Sequence, residues 1–455
     1  MEKKYLIIGC ARSGVAVANF LLAKGKKVIL SDNKDYDDVV SSFPEIINLG
    51  YNKDIIFDFG GQPNEIILEQ VEEIIVSPGV PLDLPIIKKA EKMKIKIISE
   101  IELAYRYINA PIIAITGTNG KTTTTTLTGE IYKNSGRKTY VVGNIGDPII
   151  KYVEESNEKD IFIAEISSFQ LETIEDFKPY ISTILNITPD HLDRHKNMEN
   201  YIKAKCRVFE NALEEDLFLI NLDDPILSKM KITNRCNNIY FSIKNKVKRG
   251  AFLEDGIIKV ADGEKTLQVC NAKDLKIPGI HNIKNALASV ALAYYGGVEI
   301  DVIRDTLKDF KGVEHRLELV RVLDDIAFIN DSKGTNTDAS SIAIKAIDTP
   351  IILIAGGYDK NIDFDGWINS FENKVRYLIV MGETSNKITE AALKNGYNNV
   401  IQVDSLERAI EKAYEKSKKG DTILLSPACA SWDMFKNFEE RGELFKEIVN
   451  DLGGK

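Results

Sequence analysis

The sequence predicts an α/β protein of three domains, each built on a mostly parallel sheet with helices packed against it. Short apolar runs, such as residues 112–115, alternate along the chain with longer amphipathic segments of helical spacing. Most of these runs end at glycine or polar residues, as strands do where a parallel sheet meets its ligand-binding loops. A chain of 455 residues corresponds to about three domains of ordinary size.

The composition excludes several classes of protein. With 44% hydrophobic and 28% charged residues and a net charge of −9, the chain is globular and lacks the basic excess typical of nucleic-acid binders. No apolar run approaches the length of a membrane span. The five cysteines are scattered without C-x-x-C spacing, as reduced thiols are. The start of the chain is too short in apolar residues for a signal peptide, so we expect a cytoplasmic protein.

Residues 1–99 are predicted to form a Rossmann-like domain. A strand, a turn between Gly9 and Gly14, a helix and a second strand ending at Asp32 follow one another. The dinucleotide fingerprint is incomplete, because Ala11 occupies its middle glycine position. Asp32 could still accept a hydrogen bond from a ribose hydroxyl. NAD binding is therefore possible but not favoured, and a tight turn without a ligand is the alternative.

Residues 100–312 are predicted to form a central domain of the P-loop ATPase type. The stretch PIIAITGTNGKTTTTT, residues 111–126, gives a buried strand, a glycine-containing loop and a helix start. Such a loop points backbone N–H groups at a phosphate, Lys121 adds a positive charge, and the Thr122 hydroxyl can bind Mg²⁺. Ile115 stands where the longer Walker pattern has its first glycine, so the match is to the shorter form GTNGKTT. The alternative is a simple turn with a surface lysine, but five consecutive threonines are poor helix formers.

Further candidates follow the later strands of this domain. Glu165 ends a predicted strand, where a second Mg²⁺ ligand is expected. The loop 187–195 carries His191 and His195, and one of them could bind metal or phosphate, although ordinary polar loop residues are equally consistent with it. The helix predicted over 200–211 carries Lys203 and Lys205, which local composition alone would leave in solvent. Asn282 precedes another helix, where it could bind adenine or act only as a cap.

Residues 313–455 are predicted to form a C-terminal Rossmann-like domain. Its strands end in three polar loops, 331–336, 356–360 and 426–433, which should meet at one edge of a sheet. This domain has no second phosphate loop. We therefore expect the edge to bind a different ligand.

Eight motifs, taken together, resemble the Mur ligases in order and spacing over nearly the whole chain: GTNGKTT, EISSFQLE, NITPDHLDRH, GIHNIKNALA, HRLE, NDSKGTN, GGYDK and SPACASWDMFKNFEERG. The first and third are shared with folylpolyglutamate synthases, whereas the last three are typical of the members that add D-glutamate. The resemblance implies a cytoplasmic step of peptidoglycan synthesis. ATP would phosphorylate the carboxylate of UDP-N-acetylmuramoyl-L-alanine, and the amine of D-glutamate would then displace phosphate to form an amide.

The resemblance also implies roles for individual residues. Lys121, Glu165, His191 and Lys205 would be catalytic, with Thr122 and Glu165 on one Mg²⁺, His191 and Lys205 on a second, and Lys205 carbamoylated. The remaining matches are contacts with ligands. ATP would contact Gly117, Thr118, Asn119, Gly120, Lys121, Thr122 and Thr123, together with Asn282, Arg316 and Asp331 at adenine, phosphate and ribose. The UDP substrate would contact Asp32, Asn33, Ser77 and Asn144, and D-glutamate would contact Thr335, Lys360, Ser431 and Phe438.

Three readings of the sequence remain open at this point. The first is a D-glutamate ligase acting as a monomer, without membrane or nucleic-acid partners. The second is a sister ligase that adds another amino acid or uses a folate acceptor. The C-terminal loops would distinguish this reading from the first. The third is an NAD-dependent oxidoreductase or nucleotide sensor built on residues 1–99, which would leave the C-terminal domain unexplained.

Overall fold

The computed structural model describes residues 3–230, 236–277, 279–359 and 362–454. The chain forms two compact units. The first comprises Met1–Asp274 and Lys284–Lys308, and the second comprises Leu275–Ile283 and Asp309–Lys455. Among the described residues, no helix is both long enough and apolar enough to span a bilayer.

The first sheet of the first unit is parallel throughout, in the order β3-β2-β1-β4-β5. Its strands are largely buried apolar runs, because helices cover a parallel sheet on both faces. The strand order reverses beside β1, and ligands bind at such a point in open α/β sheets. The elements are β1 (Lys4–Ile8), α1 (Arg12–Ala23), β2 (Val28–Asp32), α2 (Tyr36–Ser42), α3 (Ile46–Leu49), β3 (Ile55–Phe59), β4 (Val71–Val76), α4 (Pro85–Lys92) and β5 (Lys96–Ser99).

The second sheet of this unit has the order β14-β13-β12-β11-β10-β9-β6-β8-β7. It is parallel except at one edge, where β12, β13 and β14 pair antiparallel. The elements are α5 (Glu100–Tyr105), β6 (Ile112–Thr116), α6 (Lys121–Asn134), β7 (Thr139–Gly143), β8 (Ile161–Glu165), α7 (Ser168–Leu171), β9 (Ile181–Ile184), α8 (Leu192–His195), α9 (Met198–Cys206), β10 (Leu217–Asn221), β11 (Asn237–Ser242), β12 (Arg249–Glu254), β13 (Ile257–Asp262), β14 (Thr266–Asn271), α10 (Ile280–Tyr295) and α11 (Ile300–Asp309).

One apolar core runs through both sheets of the first unit, and it includes Leu30 of β2 as well as Ala114 of β6. Helix α5 reinforces this junction. The fully buried Glu102 accepts hydrogen bonds from three successive backbone N–H groups, at residues 175–177, over 2.9–3.1 Å. These bonds stabilise a carboxylate that burial alone would disfavour. The predicted domain boundaries at residues 99 and 312 stay predictions.

The second unit contains a sheet with the order β15-β16-β20-β17-β18-β19, parallel except for β15, which pairs antiparallel with β16. Asp324 and Asp325 join these two strands with φ values of 53° and 60°, as tight hairpin turns require. The elements are β15 (Glu318–Leu323), β16 (Ile326–Asn330), α12 (Thr337–Ala346), β17 (Ile351–Ala355), α13 (Asp365–Asn369), β18 (Val375–Val380), α14 (Ser385–Lys394), β19 (Val400–Gln402), α15 (Leu406–Lys416), β20 (Thr422–Leu425) and α16 (Phe438–Asp451). The predicted α/β class with mostly parallel sheets is confirmed.

Candidate active site

The loop between β6 and α6 has the backbone of a phosphate-binding loop. Gly117 and Gly120 have φ values of 147° and 85°, which residues with a side chain rarely adopt. A Cβ atom on Gly120 would lie only 2.4 Å from Asn285 Oδ1. The positive φ therefore favours glycine at position 120, and a Cβ there would also displace the Asn285 side chain. The loop leads directly into the N-terminus of α6.

Asn186, two residues after the end of β9, holds this loop. Its Oδ1 accepts from the Asn119 N–H over 2.8 Å, its Nδ2 donates to the Asn119 carbonyl over 2.8 Å, and its own carbonyl accepts from the Thr118 N–H. The Thr118 hydroxyl, which the sequence suggested for ATP, also contacts Tyr201 OH at 3.0 Å. Sequence reasoning missed Asn186. Its only signal was a polar residue ending an apolar strand.

Lys121 lies over the loop, where phosphate oxygens are expected. Its Nζ donates to the carbonyls of Gly117 and Thr118 over 2.9 and 2.8 Å. Thr122 and Thr123 occupy the first turn of α6 and are 7% and 3% exposed. The helix N-terminus and the ammonium together give a positive potential at this point.

Two further residues of the threonine run, together with Thr128, form a buried face of α6. Thr124, Thr125 and Thr128 are fully buried, and their hydroxyls lack hydrogen-bond partners within the described ranges. These side chains thus act as small branched packing groups against the sheet. Packing, rather than helix propensity, accounts for the run.

Glu165 is a buried carboxylate beside the phosphate loop. It is 3% exposed, and it pairs in register with Ile115 of the neighbouring strand β6. Its Oε1 accepts from Asn144 Nδ2 over 2.9 Å, whereas Oε2 is buried without a hydrogen-bond partner among the described residues. An uncompensated buried carboxylate oxygen is costly, and a hard divalent cation would satisfy it. The residues present therefore fit a magnesium ion.

Lys205 of α9 is 2% exposed, although local composition alone would leave it in solvent. Its Nζ donates to the Gly117 carbonyl over 2.9 Å and lies 4.6 Å from the ring centroid of Tyr201. Burial and then the neighbouring charge of Lys121 hold the pKa of Lys205 well below its usual value. Lys203, in contrast, is largely exposed and pairs with Glu199. The structure thus buries Lys205, the lysine that motif position selects, and leaves Lys203 in solvent.

The two histidines of the 187–195 loop occupy different environments. His191 has a φ of 52° and a side chain that is 43% exposed, and its Nε2 lies 3.6 Å from Asp190 Oδ2. His195 is 4% exposed, and its Nε2 lies 3.0 Å from Ser168 Oγ. Of the two, His191 keeps its ring accessible to a ligand, whereas the ring nitrogens of His195 already lie against Ser168 and Glu172.

In the first sheet, the Gly9–Gly14 turn packs tightly on the loop after β4. A Cβ on Gly14 would lie 2.0 Å from the Gly9 carbonyl oxygen, and one on Gly9 would lie 2.8 Å from Ser77 Cβ. Ser77 Oγ donates to the Gly9 carbonyl over 2.7 Å. Packing alone therefore explains why glycine occupies positions 9 and 14.

Three predicted substrate residues of this unit differ in their environments. Asp32 Oδ2 accepts from the Cys10 N–H over 2.6 Å, and Oδ1 accepts from the Lys34 N–H over 3.0 Å. Both oxygens of Asp32 thus already shape the turn, whereas Asn33 beside it is exposed. Asn144 is fixed against Glu165, and its N–H donates to the Glu165 carbonyl over 2.8 Å.

In the second unit, Asp331 follows β16 and is 2% exposed. Its Oδ2 accepts from Ser426 Oγ over 2.7 Å, and Oδ1 accepts from the Leu317 N–H over 3.3 Å. Burial raises the pKa of Asp331 to about 6, against the opposing charge of Arg316. Arg316 is half-buried, and Asn282, near the start of α10, is 7% exposed.

The residues predicted for D-glutamate belong to the loops at the carboxyl edge of this sheet. Thr335 is half-buried after β16, Ser431 is 2% exposed after β20, and Phe438 begins α16. The carbonyl of Phe438 accepts from Ser332 Oγ over 2.8 Å. Lys360 lies outside the described residues.

Arg441 joins these loops and was not predicted from the sequence. It is 1% exposed, and it donates to the Ser332 hydroxyl and carbonyl over 3.0 and 2.8 Å. It also reaches the Cys429 carbonyl at 3.4 Å. Burial lowers the pKa of Arg441 to about 10. Its charge is thus compensated mainly by hydroxyl and carbonyl dipoles, which fix the 331–336 and 426–433 loops relative to each other.

Comparisons with known proteins agree with this architecture. The family model "Mur ligase MurD-like, N-terminal domain" matches residues 3–99, "Mur ligase middle domain" matches 115–293, and "Mur ligase, glutamate ligase domain" matches 315–429. The UDP-N-acetylmuramoylalanine–D-glutamate ligase of Thermoanaerobacter sp. (strain X514) is 50% identical over 452 residues, covering 99% of this chain and 98% of that protein. The ligase of the same name from Caldanaerobacter subterraneus subsp. tengcongensis is 49% identical, covering 99% of both chains.

Among solved structures, UDP-N-acetylmuramate–alanine ligase from Thermotoga maritima superposes with a TM-score of 0.62 at 20% identity, covering 98% of this chain and 99% of that one. At this identity the likeness shows the fold. The full-length relatives and the three family models confirm the resemblance seen in the motifs. The chain therefore belongs to the Mur ligase family, in the group whose curated members carry the name UDP-N-acetylmuramoylalanine–D-glutamate ligase.

Proposed function

We propose that this protein is an ATP-dependent ligase that adds D-glutamate to UDP-N-acetylmuramoyl-L-alanine during peptidoglycan synthesis. One geometric observation carries the proposal: the buried Glu165, with an unsatisfied oxygen, lies beside the phosphate loop. That arrangement suits a magnesium nucleotide. Identity of about half the residues with relatives of this name supports the choice of substrates.

The reaction needs activation because a carboxylate is a poor electrophile. A carboxylate oxygen of the precursor attacks the γ-phosphorus of ATP and ADP leaves, which gives an acyl phosphate. The amine of D-glutamate then attacks the acyl carbon, phosphate leaves, and the nitrogen loses a proton. Lys121 and the loop N–H groups bind the phosphates and stabilise the charge that develops on them.

Two metal positions are part of the proposal. Thr122 and Glu165 would bind one Mg²⁺, and His191 and Lys205 would bind a second, where the ions neutralise phosphate charge. Burial holds the pKa of the Lys205 amine well below its usual value, which favours the neutral form that reacts with CO₂. A carbamate on Lys205 would turn a buried base into an anionic metal ligand, so we include this modification in the proposal.

Binding of the other ligands is assigned by motif position and supported by the local geometry. Asn282, Arg316 and Asp331 bind adenine, phosphate and ribose. By motif position, Ser77 binds near the diphosphate and Asn144 near the sugar. Asn33 contacts the uracil through its side chain. Asp32 acts mainly by shaping the turn, because both of its carboxylate oxygens already accept hydrogen bonds from backbone N–H groups.

The D-glutamate carboxylates bind at Thr335, Lys360, Ser431 and Phe438. The protein acts as a monomer in the cytoplasm. The cysteines among the described residues are free thiols, as is usual in a reducing compartment.

The experiment that tests the function measures phosphate release with ATP, Mg²⁺ and UDP-N-acetylmuramoyl-L-alanine against a panel of D- and L-amino acids. We expect release with D-glutamate only, together with one new amide bond per phosphate. A response to another amino acid would indicate a sister ligase. Phosphate release at a rate that does not depend on any added amino acid would overturn the ligase assignment.

A further inference from the structure

Arg194 of α8 connects the two sheets of the first unit. Its side chain is 17% exposed. Nη1 donates to the Pro78 carbonyl over 2.8 Å, and Nη2 donates to Glu172 Oε2 over 2.8 Å. Pro78 belongs to the turn after β4 in the first sheet, whereas Glu172 follows α7 in the second. One planar guanidinium thus bonds both, as its fork of donors allows.

The Glu172 carboxylate is held from its other side as well. Its Oε1 lies 3.3 Å from His195 Nδ1, and His195 Nε2 lies 3.0 Å from Ser168 Oγ. Burial holds the pKa of His195 below its usual value. A neutral ring that donates from Nδ1 to Glu172 and accepts from Ser168 at Nε2 satisfies all of these contacts. The network fixes the position of the carboxylate that Arg194 meets.

The same guanidinium stacks on Phe169. Its central carbon lies 4.2 Å from the Phe169 ring centroid, and the ring of His191 meets that ring edge-on with centroids 4.8 Å apart. Phe169 therefore packs between Arg194 and a proposed metal ligand. Arg194 also follows His191 by three residues, and His191 is the N-cap of the short helix that contains Arg194.

On the side of the first sheet, the turn that carries Pro78 is fixed at its other contacts. The Ser77 N–H donates to the Ile8 carbonyl over 2.9 Å, and the Val80 N–H donates to the Ser77 carbonyl over 2.9 Å. The Pro78 carbonyl accepts from Arg194 Nη1 over 2.8 Å. Arg194 thus links this turn to the loop that bears His191.

We propose that Arg194 is a positioning residue, which holds the UDP-binding turn 77–79 at a fixed distance from the His191 loop. This inference rests on the proposed function, in which Ser77 of turn 77–79 binds the diphosphate of the precursor. The distance matters because the precursor, anchored at its diphosphate, must present its carboxylate to the γ-phosphate of ATP. A shift of the turn would misplace that carboxylate even though the ATP loop is unchanged.

The test compares Arg194→Met and Arg194→Lys with the wild type. Titration calorimetry with UDP and, separately, with Mg-ADP measures the two nucleotide sites without turnover. We expect Arg194→Met to weaken UDP about tenfold, as the loss of a charge-assisted hydrogen bond does, and to change ADP affinity by less than about twofold. KM for the UDP precursor should rise while KM for D-glutamate stays constant. Lysine, which reaches only one of the two acceptors, should give an intermediate loss.

Arg207→Met is the matched control. Arg207 is also a partly buried arginine near Glu172, and it donates to the backbone carbonyls of Glu172 and Ile174 over 2.5 and 2.6 Å without an observed bond to Pro78 in the described structure. Its loss should lower the melting temperature but leave UDP affinity within about twofold of the wild type. Melting curves of all variants show how much of any change is lost stability.

Two results would overturn the inference. One is UDP affinity and precursor KM unchanged in both Arg194 variants. The other is an equal loss of UDP and ADP affinity, or a UDP loss no larger than that of Arg207→Met, because either would mean a general structural role. The proposed function fails separately, if the wild-type protein releases no phosphate in response to D-glutamate. If Arg194→Met does not fold, the UDP-to-ADP comparison in Arg194→Lys decides.

Discussion

Lys121 and Lys205 donate to the same oxygen: each Nζ lies 2.9 Å from the Gly117 carbonyl. Lys205 is 2% exposed, and its pKa lies well below the usual value because of burial first and the charge of Lys121 second. Two ammonium groups that donate to one carbonyl oxygen repel each other in a medium of low dielectric constant. The arrangement therefore stores an electrostatic cost in the protein without ligands, which an anion or a carbamate on Lys205 would relieve.

The first prediction concerns this cost. We expect Lys205→Met to abolish activity and to raise the free energy of unfolding near neutral pH. Below the folded-state pKa of Lys205 the wild type bears the full cost. As pH rises from there toward the unfolded pKa of about 10.4, the cost falls by about 1.4 kcal/mol per pH unit. The advantage of methionine should therefore shrink with rising pH, which urea unfolding in CO₂-free buffer measures. An advantage that is constant with pH would show that Lys205 does not titrate there.

The second prediction is that Lys121→Ala abolishes phosphate release, because the ammonium over the loop stabilises the phosphates during transfer. A malachite-green assay at saturating substrates measures it. Lys203→Ala is the control, since that lysine is exposed on α9 and pairs with the exposed Glu199. It should retain wild-type rates. Appreciable activity of the Lys121 variant would remove this lysine from the reaction.

The third prediction concerns Asn186, which holds the phosphate loop with two side-chain hydrogen bonds to Asn119. Asn186→Ala leaves the N–H and carbonyl of Asn119 without these partners. We expect KM for ATP to rise about tenfold and the free energy of unfolding to fall by about 1–3 kcal/mol. Asn186→Asp keeps the acceptor and loses the donor, so its KM should be intermediate. An unchanged KM in the alanine variant would mean that the loop keeps its shape without the clamp.

The difference between what sequence predicted and what it missed follows from the range of the interactions. The predicted strand that ends at Glu165 is β8, and the apolar run 112–115 lies in β6, because the buried strands of a parallel sheet show as continuous apolar runs in the local sequence. The phosphate loop was found for the same reason. Its backbone needs glycine at two positions in a short stretch.

Asn186, Arg194 and Arg441 were missed because their partners are distant in sequence. Asn186 and Asn119 are 67 positions apart, Arg194 and Pro78 are 116 apart, and Arg441 and Ser332 are 109 apart. A single asparagine or arginine gives no local sign of such a contact. The environment of Asp32 was hidden for a similar reason, since its carboxylate is engaged by the backbone of Cys10 in another strand–helix turn.

The fourth prediction uses the two tryptophans of the chain to test the D-glutamate site. Trp367 is 2% exposed in the core, whereas Trp432 is 64% exposed, next to Ser431, with its ring 5.6 Å from that of Tyr358. If D-glutamate binds at Ser431, it should partly cover Trp432. We expect D-glutamate to shift the emission of Trp367→Phe to shorter wavelength and to protect it from acrylamide, in the presence of the UDP precursor and Mg-ADP.

The controls assign this signal to the amino-acid site. Trp432→Phe should lose this signal, and L-glutamate should not produce it. If D-glutamate leaves the emission of Trp367→Phe unchanged, the amino acid binds away from Trp432.

Lys360→Ala removes the countercharge that the motif provides for a carboxylate. It should raise KM for D-glutamate at least about tenfold while KM for ATP stays nearly constant, because a charge-assisted contact is lost at one ligand only. An unchanged KM for D-glutamate in this variant would remove Lys360 from the site.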